Sequence, residues 1–373
     1  MSRAVPAIPC VQRLGARDAR RGSDPTNGMC CVTVRTLKVA ASVIGSVRMR
    51  ISTVLLGSLI GLSAAHGATV IAPDVDLIPG VFVAGSQPDG NTVILKGADG
   101  LIVFDTGRHA EHTQKIIDFA TASKQPVAAI VNSHWHLDHV GGNVLLKKAY
   151  PNAHVYASAA IEDAMHGFLA SYHAQLEDAI EQAGDDTAKQ APWRAELALI
   201  DAGPALYPDV RITATETRAI AGRKVEVGFE GHAVTGGDVW LFDPATHVFA
   251  PGDLVTLPAP LFDTACAERW RASLGRLDAV DFKILVPGHG APMRRKDFAT
   301  YRVAFDHLLD CAGGNAAKQA CIDGWMRDAG RLIPAGDEKL ARSLLDYYVD
   351  GNLRGDPTKT RALCEEREYR SRS

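Results

Sequence analysis

Four side chains of the types that bind metals are concentrated in the stretch HWHLDHVGG, residues 134 to 142. Imidazole and carboxylate groups are not buried together without partners, because each would lose its hydrogen bonds to water. In extended backbone, side chains at i and i+2 point the same way. His134 and His136 are therefore expected to face one point, with Asp138 continuing the row and His139 turned aside at a helix start. This grouping suits two metal ions, and nitrogen and oxygen ligands without thiolate are typical of hydrolytic zinc sites.

Three further candidate ligands lie at glycine-flanked corners later in the chain. These are His232 in EGHAVTGGD, Asp253 in FAPGDLV and His289 in LVPGHG. Each follows or ends a segment that is predicted to be a strand. Loops at strand ends commonly hold functional groups, and glycine lets the backbone approach closely. For Asp253 a plain turn residue is the alternative interpretation.

The chain carries HxHxDH followed by GG, and then glycine-flanked turns that read GH, GD and PGHG, in that order. This set of motifs resembles that of the metallo-β-lactamase superfamily. The stretch LIVFDTG at 101–107 is similar to the early DTG motif of that family. The resemblance covers about residues 75–295. It implies an α/β fold, the αββα sandwich of two mixed β-sheets with outer helices.

The resemblance also assigns roles to residues. Seven side chains would bind two zinc ions per chain: His134, His136 and His232 the first, and Asp138, His139, Asp253 and His289 the second. Asp253 would bridge both ions, as in the glyoxalase II-like and lactonase-like branches. Asp138 would also be catalytic, because the ion that it holds stabilises the leaving group. Asp105 would orient a ligand without binding metal. His232 fits the family pattern least well, since GHAVTGGD replaces the usual GHT followed shortly by glycine.

The chemistry that the resemblance implies is hydrolysis by a zinc-bridging hydroxide, since zinc lowers the pKa of bound water to about 7. The expected substrate is a small carbonyl compound: an ester, lactone, thioester or amide. Cleavage of β-lactams is the alternative, although Asp253 favours the former group. A metal-dependent oxidoreductase is disfavoured, because its branch carries glutamate in place of His136. The formal net charge of −3 gives no indication of a nucleic-acid partner.

The N-terminal region is predicted to be a leader and not part of the fold. The apolar run Ile51 to Leu62 follows Arg48 and Arg50 and precedes small residues, a pattern typical of a signal peptide at 49–67. The run is too short to span a bilayer comfortably; a buried strand or a short anchor is the alternative. Export to the periplasm or the medium is therefore expected, with translation starting at the methionine of position 49 and residues 1–48 a gene-model extension.

Two helical segments are predicted beside the motif region. Apolar residues at helical spacing indicate an insertion at about 159–198. We expect it to cover one side of the metal cleft, with Phe168 and Tyr172 as candidates for the substrate pocket; core packing is the alternative for both. The second segment is a helical C-terminal extension at 296–373.

Four cysteines follow the predicted leader, and none lies in a CxxC pair. Cys311 and Cys321 flank a predicted turn between two helices, which brings such positions within disulfide reach. We therefore predict a disulfide between them. Cys266 and Cys364 are the other candidate pair, as an exported chain permits disulfides.

Overall fold

The computed structural model describes residues 67–81 and 87–365. The strands in these residues are β1 (Thr69–Ala72), β2 (Val75–Ile78), β3 (Thr92–Lys96), β4 (Leu101–Phe104), β5 (Val127–Val131), β6 (His154–Ala157), β7 (Val210–Arg211), β8 (Glu216–Ile220), β9 (Arg223–Glu230), β10 (Asp238–Asp243), β11 (Val248–Thr256) and β12 (Ile284–His289). The α-helices are α1 (Ala110–Ser123), α2 (Leu137–Val140), α3 (Asn143–Ala149), α4 (Ala160–His166), α5 (Phe168–Gln182), α6 (Thr187–Asp201), α7 (Ala267–Leu277), α8 (Arg295–Gly313), α9 (Lys318–Asp328), α10 (Glu338–Tyr348) and α11 (Pro357–Cys364).

The strands form two mixed sheets. The first has the order β1-β2-β3-β4-β5-β6-β7, antiparallel from β1 to β4 and parallel from β4 to β7. The second has the order β12-β11-β10-β9-β8, in which only the β11 and β12 pairing is parallel. This is the expected α/β sandwich with two mixed sheets.

Strand alternation explains how the sheets stack between helices. In β4, Ile102 and Phe104 join the apolar core shared by the two sheets, whereas Leu101 and Val103 face the other way. The outward residues pack with Ile116 of α1 and other helical side chains. Side chains at i and i+2 share a sheet face, so one short apolar strand serves both layers.

The helices divide between three places. Helices α1 and α3 cover the first sheet, and α7 to α10 pack on the second. Helices α4 to α6 lie between β6 and β7 in sequence. Leu169, Tyr172 and Leu176 of α5 share an apolar cluster with Trp135 and Leu137 from the motif. The metal motif is therefore packed directly against this helical segment.

Two local expectations differ from the structure. Asp138 does not continue an extended row, because the backbone turns into α2 at Leu137. The helix expected to start at His139 therefore begins two residues earlier, and periodicity cannot locate the start of so short a helix. Asp253 lies inside β11 and not after it.

Most of the predicted leader and signal peptide lies outside the described residues. Within the described part of the chain, no helix is long and apolar enough to cross a membrane. The structure contains both candidate disulfides. The bond between Cys311 and Cys321 confirms that prediction, and Cys266 pairs with Cys364.

Candidate metal centre

Two parallel strand pairs bring six of the seven candidate ligands together. Asp105 follows β4, and the HWHLDH segment follows its neighbour β5. Asp253 and His289 come from the neighbouring strands β11 and β12. Gly288 is required here, since a Cβ atom on it would lie 1.9 Å from Asp253 Oδ1. The glycine of the PGHG corner thus leaves room for a carboxylate.

Six side chains form two groups with the composition of metal sites. His134, His136 and Asp253 form one group, and Asp138, His139 and His289 form the other. In each group, one potential ligand atom per residue lies within 4.8 Å of the others. This arrangement of two adjacent histidine and aspartate groups is typical of a dinuclear centre in this kind of sandwich.

Asp253 lies between the two groups. Its Oδ2 is 4.0 Å from His134 Nε2, and its Oδ1 is 3.4 Å from His139 Nε2 and 3.7 Å from His289 Nε2. One carboxylate oxygen thus faces each group. This is the placement that a bridging ligand requires.

Buried atoms without partners indicate that the centre fits metal ions. His134 Nε2, His139 Nε2 and both carboxylate oxygens of Asp253 are buried with no hydrogen-bond partner among the described residues. Buried polar atoms are nearly always paired, because an unpaired one costs about 1–3 kcal/mol. Several such atoms converging on one place are explained by cations that would bind to them.

Asp105 and Ser133 fix two of these imidazoles. Asp105 Oδ2 accepts a hydrogen bond from His139 Nδ1 at 2.8 Å and another from Ser133 Oγ at 2.7 Å. Since the hydroxyl hydrogen of Ser133 is directed to Asp105, Ser133 Oγ accepts from His134 Nδ1 at 2.9 Å. Both rings therefore carry hydrogen on Nδ1 and present Nε2 to the centre. Such partners set the tautomer and direction of a metal ligand.

Burial and charge act differently on the imidazoles of the two groups. Burial lowers the pKa of His134 well below its ordinary value and that of His136 to about 4. Burial also disfavours the charged forms of His139 and His289, but nearby carboxylates, above all that of Asp253, outweigh it and raise the pKa of both. A metal ion at the second group would therefore have to displace protons.

His232 is placed outside both groups. Its backbone has a φ of 56°, and its Nδ1 donates a hydrogen bond to the Leu363 carbonyl of α11 at 3.2 Å. The ring lines a cavity with Trp135 and Thr264, and Asp253 completes the group that His232 was expected to complete. The role of His232 as a metal ligand stays a prediction.

Sequence reasoning missed Arg108 and Glu196. The buried guanidinium of Arg108 forms an ion pair with Glu196 of α6 and lies 3.4 Å from Asp138 Oδ1. Asp138 Oδ2 is 3.0 Å from His289 Nε2. Asp138 Oδ2 thus faces His289 of the second group, and Asp138 Oδ1 faces the guanidinium of Arg108. No sequence signal joins Arg108 to Glu196, because the two lie 88 residues apart.

A cavity of about 110 Å³ opens beside the second group. Its wall includes Arg108, Asp138, Trp135 and both predicted pocket residues, Phe168 and Tyr172. The Phe168 side chain is 40% exposed, and its ring lies 5.5 Å from that of Trp135. Tyr172 is only 6% exposed and hydrogen-bonds to Glu196. The apolar part of the wall is supplied by helices from outside the two sheets.

Comparison with known proteins agrees with this geometry. The model of the family described as "Metallo-beta-lactamase superfamily" matches residues 86–289, which is more than half of the chain. Fold and site together define a metallo-hydrolase with a histidine and aspartate centre. The chain belongs to the metallo-beta-lactamase superfamily.

Two curated relatives from Pseudomonas have a narrower similarity. An (R)-specific secondary-alkylsulfatase is 29% identical over 175 residues, which are 44% of this chain and 25% of the relative. A linear primary-alkylsulfatase is 23% identical over 226 residues, 55% of this chain and 42% of the relative. The matches therefore span less than half of the length of either relative.

A solved structure of a double mutant of a sec-alkyl sulfatase superposes with a TM-score of 0.51 at 18% identity. The superposition covers 75% of this chain and 51% of that one. Metallo-beta-lactamase from Pontibacter korlensis aligns at a TM-score of 0.47 and 23% identity, over 64% of this chain and 98% of its own. At these identities the likeness to the sulfatase shows the fold alone.

Proposed function

We propose that this protein is a dinuclear zinc hydrolase of small-molecule esters. The observation that carries the proposal is the position of Asp253, with one buried carboxylate oxygen facing each of two adjacent ligand groups. The donor set of imidazole and carboxylate without thiolate suits zinc in hydrolytic sites. Two zinc ions held there would supply a Lewis acid and, at neutral pH, a hydroxide nucleophile.

The protein's own groups hold this centre in one arrangement. Asp105 and Ser133 direct His139 and His134 inward, so their Nε2 atoms face the centre without reorganisation of the rings. Arg108 offsets part of the charge of Asp138, whose pKa is held well below its usual range: burial opposes this, but His139, His289 and Arg108 outweigh burial. Preorganised ligands and dipoles lower the cost of developing charge at the reacting atoms.

The cavity supports an ester that carries an apolar group. Trp135, Phe168 and Leu169 line it on one side, and Leu261 and Leu344 are also in its wall. An apolar wall binds a hydrocarbon part of the substrate through burial of surface, worth about 25 cal/mol per Å². Carboxylic esters, thioesters and lactones all offer a carbonyl carbon for attack beside such a group.

A sulfate ester of an aliphatic alcohol is the second candidate. Both curated relatives are named as alkylsulfatases, and the apolar wall would accept an alkyl chain equally well. A carbonyl substrate and a sulfate ester would differ in the group that lies against the metals, whereas the apolar wall of the cavity would bind the hydrocarbon part of either one. A substrate panel therefore separates them.

The test is metal dependence followed by that panel. Protein purified without added metal should contain about two zinc ions per chain, lose activity on chelation and regain it with zinc. The panel contains matched C8 carboxylic esters, thioesters, lactones and alkyl sulfates, together with nitrocefin for β-lactams. His134→Ala should abolish turnover, whereas the exposed His154→Ala should not. Full turnover of every substrate by the chelated protein would refute the proposal.

We also propose that the protein is exported. The signal-like run at 51–62 and the pairing of four cysteines into two disulfides support this, as disulfides persist in oxidising compartments. Expression in a Gram-negative host, fractionation and N-terminal sequencing test it. Mature protein in the periplasm that begins near position 67 is expected; cytosolic protein that retains residue 50 would contradict export.

A further inference from the structure

Thr264 contacts a predicted ligand from outside every metal motif. Its Oγ1 lies 2.9 Å from His136 Nε2 and 2.9 Å from the carbonyl oxygen of Val234. The hydroxyl is buried, and it lies 128 residues from His136 in sequence. The position is therefore one that only the folded chain creates.

The direction of these two hydrogen bonds follows from the atoms involved. A hydroxyl has one hydrogen to donate and lone pairs to accept with. The Val234 carbonyl can only accept, so the hydrogen of Thr264 is directed to it. Thr264 Oγ1 must then accept from His136, which places the imidazole hydrogen on Nε2. In a neutral ring this leaves Nδ1 as the nitrogen with a lone pair.

We propose that Thr264 is a positioning residue that sets the tautomer of His136, so that Nδ1 is the atom offered to a metal ion shared with His134 and Asp253. The inference rests on the proposed metal centre and goes further by naming a residue outside the metal motifs that positions one of its ligands. It also makes His136 differ from His134 and His139, which present Nε2.

The acceptor of Thr264 is itself held firmly. Buried Asp238 accepts hydrogen bonds from the backbone nitrogens of Val234 and Thr235 and from the Thr235 hydroxyl, at 2.9 to 3.1 Å. The backbone nitrogen of Cys266 donates to the Ala233 carbonyl at 2.9 Å. The segment that carries Thr264 is thus tied to the loop that carries its acceptor.

The opposite tautomer would be costly in this setting. If Thr264 donated to His136 Nε2, the Val234 carbonyl would lose its side-chain partner. The imidazole hydrogen would then be on Nδ1. Leaving a buried polar group unsatisfied costs about 1–3 kcal/mol, which corresponds to a preference of at least about fivefold for the proposed tautomer.

The experiment compares Thr264→Val, which keeps the shape and removes the hydroxyl, with Thr264→Ser, which keeps the hydroxyl. Zinc affinity is measured on the metal-free full-length protein by competition with a chromophoric chelator. Thr264→Val should weaken one of the two zinc-binding steps by about 10- to 100-fold, the usual effect of losing a ligand's hydrogen-bond partner. Thr264→Ser should stay within about threefold of the wild type.

A second measurement does not depend on metal or on the variant folding. In metal-free wild-type protein labelled with ¹⁵N-histidine, the nitrogen shifts of His136 should report hydrogen on Nε2. A ring with hydrogen on Nδ1, or wild-type zinc affinity in folded Thr264→Val, overturns the inference. A wild-type protein that binds no zinc refutes the proposed function instead, while the tautomer measurement still decides the role of Thr264.

Discussion

Asp253 is the single residue on which the two-metal interpretation depends most. We expect Asp253→Ser to retain about one metal ion per chain and to lose at least about 100-fold in turnover, near 2.7 kcal/mol in the activation barrier. The physical reason is that serine removes both oxygens that face the two ligand groups. Metal content by mass spectrometry and steady-state rates provide the measurement.

The control for Asp253→Ser is Asp178→Ser, which makes the same change at an exposed position of α5. It should leave metal content and rate as in the wild type. An Asp253→Ser protein that holds two metals and turns over normally would show that Asp253 is only a structural residue of β11.

His112 gives a second test at the scale of one residue, outside the metal ligands. Burial lowers the pKa of His112 to about 4, from 6.5 in the unfolded chain. Between those values the unfolded chain binds a proton that the folded chain does not. Stability therefore falls as the pH falls from 6.5 towards 4, by about 2–3 kcal/mol at pH 4.5.

Urea unfolding of metal-free protein at pH 7 and pH 4.5 measures this loss. In His112→Gln the fall in unfolding free energy between the two pH values should be smaller by about 2–3 kcal/mol. The exposed His154→Gln should show the full fall seen for the wild type. Equal falls in all three proteins would mean that His112 titrates normally in the folded state.

The sequence predicted single residues well where one local motif names them and poorly where distant chain segments meet. His134, His136, Asp138 and His139 are recognisable because they lie within six positions. Thr264 carries no comparable signal, because its contact is made across 128 residues. The contact of His232 shows the same limit: its hydrogen bond to the Leu363 carbonyl of α11 spans 131 residues, and a motif does not report it.

At the scale of elements, apolar residues at helical spacing predicted helices in the insertion and in the C-terminal extension. In the stretch predicted as a helical insertion, at about 159–198, the structure has α4, α5 and α6, which run from Ala160 to Asp201. Short elements escaped, because α2 has only four residues and no period to detect. The pairing order of the twelve strands in the described residues was not derivable from spacing, and the family resemblance implied only two mixed sheets with outer helices.

Helix α5 carries the prediction for substrate binding. Phe168→Ala should raise KM about tenfold for substrates with an apolar group, about 1.4 kcal/mol, and leave metal content unchanged. Its ring is partly exposed and lines the cavity beside Trp135, so its loss removes contact area without opening the core. Tyr172→Ala should alter KM as well, but with lower stability, since that ring is buried.

KM and kcat for a series of chain lengths measure the effect of Phe168→Ala. The matched control is Val303→Ala on α8, an exposed apolar residue that is absent from the cavity wall. An unchanged KM for every accepted substrate would favour a packing role for Phe168 and remove α5 from the binding site.

At the scale of the whole molecule, two cross-links act on very different lengths of chain. The Cys311 and Cys321 bond closes a separation of 10 residues between α8 and α9, whereas the Cys266 and Cys364 bond closes 98 residues. The longer loop runs from the start of α7 to the end of α11 and encloses β12. It therefore ties the C-terminal helices to the sheet that carries Asp253 and His289.

Removal of the longer cross-link should cost more stability than removal of the shorter one. In the chain-entropy model a closed loop restricts the unfolded state, by roughly 4–5 kcal/mol for about 100 residues and roughly 2–3 kcal/mol for about 10. We expect those losses of unfolding free energy in Cys266→Ser/Cys364→Ser and Cys311→Ser/Cys321→Ser respectively, measured by urea denaturation of each double variant. The opposite outcome would mean that α11 detaches on its own. In that case Cys266→Ser/Cys364→Ser would lose little of the free energy of global unfolding. The loss for Cys266→Ser/Cys364→Ser would then be the smaller one, and the Leu363 contact with His232 would be lost in an otherwise folded protein.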